Sequence, residues 1–71
     1  MAIEQLLVPA VSGDQSVRDI SKQVHTIPGV RLVVVNLANK SVQVEHDGRA
    51  DLMAILRAIN AAGYAEVAVL A

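Results

Sequence analysis

The spacing of apolar residues changes along the chain, and each change marks an element. Ile3 to Val8 is a short aliphatic stretch stopped by Pro9, whose missing N–H predicts the end of a strand. Val17, Ile20, Val24 and Ile27 then recur at helical spacing, with Arg18, Asp19, Lys22 and Gln23 on the wet face. Ser12 and Gln15 have the spacing of a capping box, and Asp14 lies in the first turn, where the helix dipole favours a carboxylate. Pro28-Gly29 ends this helix. Val30 to Leu37 is too β-branched and too short for another helix and predicts the strongest strand. Ala38-Asn39-Lys40 reads as a tight turn with Asn39 as its left-handed residue. Ser41 to Glu45 alternates polar and apolar as a half-buried hairpin partner, and His46-Asp47-Gly48 breaks the alternation. Leu52, Ile55, Leu56 and Ile59 return to helical spacing up to Gly63, a suitable left-handed terminator, and Tyr64 to Leu70 predicts a last strand.

This order, two β-α-β units around one hairpin, predicts an α+β ferredoxin-like βαββαβ sandwich: a four-stranded antiparallel sheet with both helices on one face. Right-handed crossovers give the spatial strand order 4-1-3-2. The topology sorts the connections onto two ends. The Pro9 to Gly13 loop, the Ala38 to Lys40 turn and the Gly63-Tyr64 corner share one end, and His25 to Gly29 shares the other with His46 to Gly48.

Composition narrows the function classes. The 71 residues are 54% hydrophobic and 1% aromatic, so a single domain spanning 1–71 with an aliphatic core is expected. A net charge of -1 and one Tyr without Phe or Trp leave neither a phosphate-binding surface nor a stacking platform, so no nucleic-acid partner is expected. The chain contains no cysteine, which rules out a disulfide scaffold, a cysteine nucleophile and a thiolate site of its own. No apolar run approaches the ~20 residues of a membrane span, and no signal core follows a basic N-terminus. No membrane insertion is expected, and the location is read as cytoplasmic, either as a free protein or as a soluble piece of a larger one. No catalytic arrangement or phosphate loop is visible, so the chain is not read as an enzyme, and no cofactor is implied.

The segments VRDISKQVHTIPGV (Val17 to Val30), LANKSVQVEHD (Leu37 to Asp47) and AINAAGY (Ala58 to Tyr64) resemble the heavy-metal-associated domain family over nearly the whole chain. That is the fold of small copper chaperones and of the N-terminal domains of metal-pumping P-type ATPases. The family's signature, Met-x-Cys-x-x-Cys between the first strand and first helix, falls on Val11, Ser12, Gly13, Asp14, Gln15 and Ser16. Gly13 and Ser16 stand where the resemblance implies the thiols, and neither is a ligand for Cu(I) or a strong one for Zn²⁺. Val11 is expected to pack where the family's Met packs, and Tyr64 to pack as the family's Gly-Tyr corner does.

Other candidate sites weigh less than their structural readings. Ser12, Gly13 and Asp14 at a helix start have the form of an anion nest, but Asp14 already supplies a negative charge and Ser12 a cap. Asp14, Gln15 and Ser16 offer oxygens to a hard ion, but with only one carboxylate. His25, His46 and Asp47 share an end and have the donor chemistry for Zn²⁺, although histidines at element ends are more often solvated. The outer phase of Val30 to Leu37 is the more informative feature. With Val33, Val35 and Leu37 toward the helices, Leu32 and Val34 fall on the open sheet face, where Leu7 and Leu70 join them. The pattern points to a protein partner or to self-association through this face or the neighbouring edge strand. The first reading is therefore a cysteine-free interaction or regulatory module related to metal transport. A carrier using non-Cys or partner-supplied ligands and an ACT-like small-molecule sensor are the alternatives.

Overall fold

A computed structural model describes residues 2–70 and orders the chain as β1 (Ala2–Leu7), α1 (Gly13–Val24), β2 (Val30–Asn36), β3 (Ser41–His46), α2 (Leu52–Ala61) and β4 (Ala68–Val69). The strands form one sheet in the order β2-β3-β1-β4, the predicted order read from the other edge. Each of its three neighbouring pairs is antiparallel. The fold is the ferredoxin-like sandwich read from the sequence.

Period-two burial in β3 sends Val42 and Val44 inward, where they join Leu6 and Val8 from the β1 side and Ile20, Val24, Ile55 and Ile59 from the helices in the dry core. Val33, Val35 and Leu37 pack partly buried against this cluster, as the phase of β2 predicts. The cluster holds no aromatic ring that is fully buried, so its cohesion comes from close-packed aliphatic side chains.

Several local expectations are corrected. The capping box does not form: the Ser12 side chain makes no cap bond. Gln15 Nε2 instead donates to Asp19 Oδ1 at 2.9 Å, one turn along the exposed face. α1 stops at Val24 rather than Ile27, because the chain tightens into turns in which Thr26 N–H and Ile27 N–H donate to Gln23 O and Val24 O. In the hairpin turn the left-handed residue is Lys40, at φ 60, and not Asn39. The Asn39 side chain is occupied as an acceptor for both the N–H and the hydroxyl of Ser41, and Asn36 Oδ1 fastens the turn's other side by accepting from Ala38 N–H at 2.9 Å. Gly63 does close α2 with φ +106.

The last strand is far shorter than Tyr64 to Leu70. Tyr64 N–H donates back to Ile59 O, and Asn60 Nδ2 donates to Tyr64 O at 2.7 Å, so the start of this segment is tied to the end of α2. Only Ala68 and Val69 pair with Leu7 and Leu6, followed by a hydrogen bond from Leu70 N–H to Gln5 O at 2.7 Å. α2 also has a cap that its apolar periodicity does not reveal: Asp51 Oδ1 accepts from Ala54 N–H at 2.7 Å.

Candidate functional site

The β1/α1 loop, the β2/β3 turn and the Gly63-Tyr64 corner meet at one end, as the topology requires. Val8 N–H donates to Lys40 O at 2.8 Å, and the Lys40 ammonium reaches back to donate to Val11 O at 2.8 Å. Val11 is completely buried in the core, so the loop is anchored by an apolar side chain beneath and an ammonium on its carbonyl. Ser12 is extended at φ -161, and Gly13 turns the chain into α1 at φ +72, in the left-handed region.

Ser16 lies one turn inside α1 and is 3% exposed. A serine hydroxyl has one proton and two lone pairs. Here the proton goes to Ser12 O at 2.9 Å, one lone pair accepts from Ser12 N–H at 2.9 Å, and the other from the Tyr64 hydroxyl at 2.6 Å. The oxygen has no capacity left for a ligand. Ser16 thus ties its oxygen to the N–H and carbonyl of the N-cap residue Ser12 rather than capping a first-turn N–H of α1, and Tyr64 is more than a packing ring, since its hydroxyl completes the Ser16 set from across the fold. Ser12, Gly13, Asp14 and Gln15 are exposed, and two of them are already engaged: Ser12 N–H with Ser16, and the Gln15 amide with Asp19.

The histidines lie at the opposite end but do not assemble with the acids into a donor set. His25 is the exposed cap of α1, whereas His46 continues β3 inward and is 4% exposed, against the expectation of a solvated residue. The β-period simply runs one residue further than the sequence suggests, keeping His46 in phase with Val42 and Val44. Asp47 is engaged locally. Its carboxylate accepts from the Arg49 backbone N–H at 3.1 Å and from Arg49 Nε at 3.0 Å, and these hydrogen bonds, the backbone one foremost, hold it below its ordinary value of 3.8. Among the described residues no three His, Cys, Asp or Glu side chains converge as metal ligands.

Leu32, Val34 and Leu70 lie exposed on the open face of the sheet and Leu7 half-buried beside them. The cross-strand register sets them in rows: Leu32 opposite Glu45 and then Ile3, Val34 opposite Gln43 and then Gln5, and Asn36 opposite Ser41 and then Leu7. The polar residues of β3 therefore run as a spine between two apolar flanks. Ile3, about half exposed, belongs to this face and was missed; its phase with Leu7 along β1 was the available signal. Lys40 was missed as well, and no local pattern marks it, because its carbonyl partner lies in a separate loop.

The sequence pattern of the heavy-metal-associated domain matches residues 5–65. The chain belongs to this family. The heavy-metal-associated domain is 45% identical over 49 residues to copper-transporting ATPase 2 of Rhizobium meliloti (strain 1021), covering 69% of this chain and 6% of that protein. The chain thus spans a small fraction of this relative's length. Apo-CopP from Helicobacter pylori is 35% identical, with a TM-score of 0.83 over 93% of this chain and 98% of CopP. A chain in the Atx1-Cu(I)-Ccc2a complex superposes with a TM-score of 0.84 at 20% identity over 97% of this chain and 94% of that one, a likeness of fold. The family connects the domain to metal handling, yet it has no cysteine with which to hold a soft ion. Among the described residues no helix is long and apolar enough to cross a membrane.

Proposed function

We propose that this heavy-metal-associated domain works by protein contact within a copper-transport or copper-handling system, and not by carrying an ion itself. The carrying observation is the Ser16 hydroxyl, whose proton and both lone pairs are engaged inside the loop at the position of the family's second thiol. Gly13, at the first thiol position, has no donor and a backbone at φ +72 that a cysteine adopts only with strain. The loop is therefore a structural cap on the core, held without metal by Lys40 and Tyr64. Contact falls to the open sheet face, where Leu32 and Val34 on one flank and Leu7 and Leu70 on the other offer apolar area around a polar spine. The assignment to copper handling rests on the family and on the named function of the Rhizobium relative. In this reading the domain is a non-catalytic module.

The test is a titration with Cu(I) and with Zn²⁺ under reducing conditions, run on the parent and on a variant carrying Gly13→Cys with Ser16→Cys. Uptake by the variant alone is the expected result. Stoichiometric uptake by the parent overturns the reading.

A further inference from the structure

The end of the sheet remote from the β1/α1 loop holds a buried titratable group that the proposed contact role does not use. His46 points to the helix side at the end of β3, and its Nδ1 accepts from Gly48 N–H at 3.1 Å. The neutral ring in this bond carries its proton on Nε2. That nitrogen is buried and, among the described residues, has no hydrogen-bond partner. Glu4 on β1 brings Oε1 to 3.8 Å from it, too far for a hydrogen bond, and its side chain remains 25% exposed.

The charged groups on the surrounding elements are few. Asp47 and Arg49 in the following turn pair with each other, and Arg31 on β2 acts on Asp47. Asp51 caps α2, His25 is exposed at the end of α1, and Glu45 alternates to the open face. Among the described residues Glu4 is the carboxylate within ion-pairing distance of the ring.

We propose that His46 is a proton-operated switch for the turn between β3 and α2. While the ring is neutral, the turn is fastened by the Gly48 N–H on Nδ1. A proton taken from water onto Nδ1 converts that atom from acceptor to donor, so two N–H groups face each other and Gly48 turns away. Its φ of +101 and the open space on the side where a Cβ would stand allow this movement. The same proton places a positive charge beside Glu4, and the Nε2–H that had no partner closes onto the carboxylate. Acid thus exchanges a hydrogen bond within the turn for an ion pair between β1 and β3. The turn runs through Ala50 into Asp51, the cap of α2, so the start of that helix is where the exchange is felt.

The test is nitrogen-15 NMR of the whole chain between about pH 8 and about pH 5, following the Gly48 amide and the His46 ring together. At the upper pH the ring is expected as the Nε2–H tautomer. On acidification the Gly48 amide is expected to move along the ring's own titration curve and to lose about tenfold or more of its hydrogen-exchange protection. Glu4→Gln is expected to leave the urea midpoint unchanged at about pH 8 and to lower it at about pH 5, where the imidazolium has lost its counter-charge. A ring that titrates while Gly48 stays still overturns the proposal. So does a ring that stays neutral until the domain unfolds, or a Glu4→Gln variant that matches the parent at both pH values.

Discussion

The two ends of the sandwich handle their polar groups in opposite ways. At the loop end, Ser12, Ser16, Tyr64, Lys40 and the Val11 carbonyl form one connected set, and the central hydroxyl has every donor and acceptor engaged. At the far end a buried imidazole nitrogen has no partner among the described residues, and a glycine carbonyl holds the turn by accepting from Asp47 N–H at 3.0 Å. The loop end is thus the saturated one, and the buried polar atom without a partner among the described residues lies at the opposite end. A closed network stiffens a loop, whereas a buried polar group without a partner is costly to keep.

The largest effect that would break this contrast is expected at Gly29. A Cβ there would run into the Asp47 carboxylate and come within 3.1 Å of Arg49 Cβ, on a backbone at φ +94 that L-residues rarely adopt. Gly29→Ala is therefore expected to cost about 3 kcal/mol in urea denaturation, combining backbone strain with the displaced Asp47. A cost near zero would mean that the far end is looser than its contacts imply.

Next comes the lock itself. Ser16→Ala leaves Ser12 N–H and the Tyr64 hydroxyl without their acceptor and is expected to destabilise by about 2 kcal/mol. Hydrogen exchange at Ser12 sharpens the test, since protection there should fall more than at the α1 midpoint; equal loss at both would make the network ordinary helix packing.

The smallest effect concerns Asp47, whose hydrogen bonds from Arg49 lower its pKa in the folded state. A lowered value means stability present above the ordinary carboxylate value of 3.8 and lost as pH falls through the lowered one. Asp47→Asn should therefore be less stable than the parent at neutral pH, with the two converging in acid. The check is a pair of denaturation midpoints, and a difference that grows in acid would reverse the sign.

Much of the architecture was legible because it depends on period and punctuation. The helical spacing of Ile20 and Val24, the alternation of Val42 and Val44 and the left-handed stop at Gly63 are local signals, and the structure follows them. What escaped depends on competition among polar groups. Asn39 and Lys40 are both able to sit in a turn, and the choice fell on Lys40 once the Asn39 side chain was taken by Ser41. The Ser12 hydroxyl leaves the start of α1 uncapped, while the buried Ser16 hydroxyl binds the Ser12 backbone and Tyr64, a partner far away in sequence. The expected start of β4 is instead tied to the end of α2, where the Asn60 amide holds the Tyr64 carbonyl. The phase of β2 was readable and exposes Leu32 and Val34, but the polar spine dividing the open face emerges only once β3 is set between β2 and β1.

The left-handed Gly13 bears on what building a thiol pair into this loop requires. A cysteine introduced at this position alone meets about 1–2 kcal/mol of backbone strain with no second thiol to share an ion. One introduced at position 16 alone dismantles the hydroxyl's bonds to Ser12 and Tyr64, again with no second thiol beside it. Each single step is a cost, so the two changes are expected to be strongly non-additive in the presence of a soft ion. The glycine and the serine thus make the loop a threshold that one substitution does not cross.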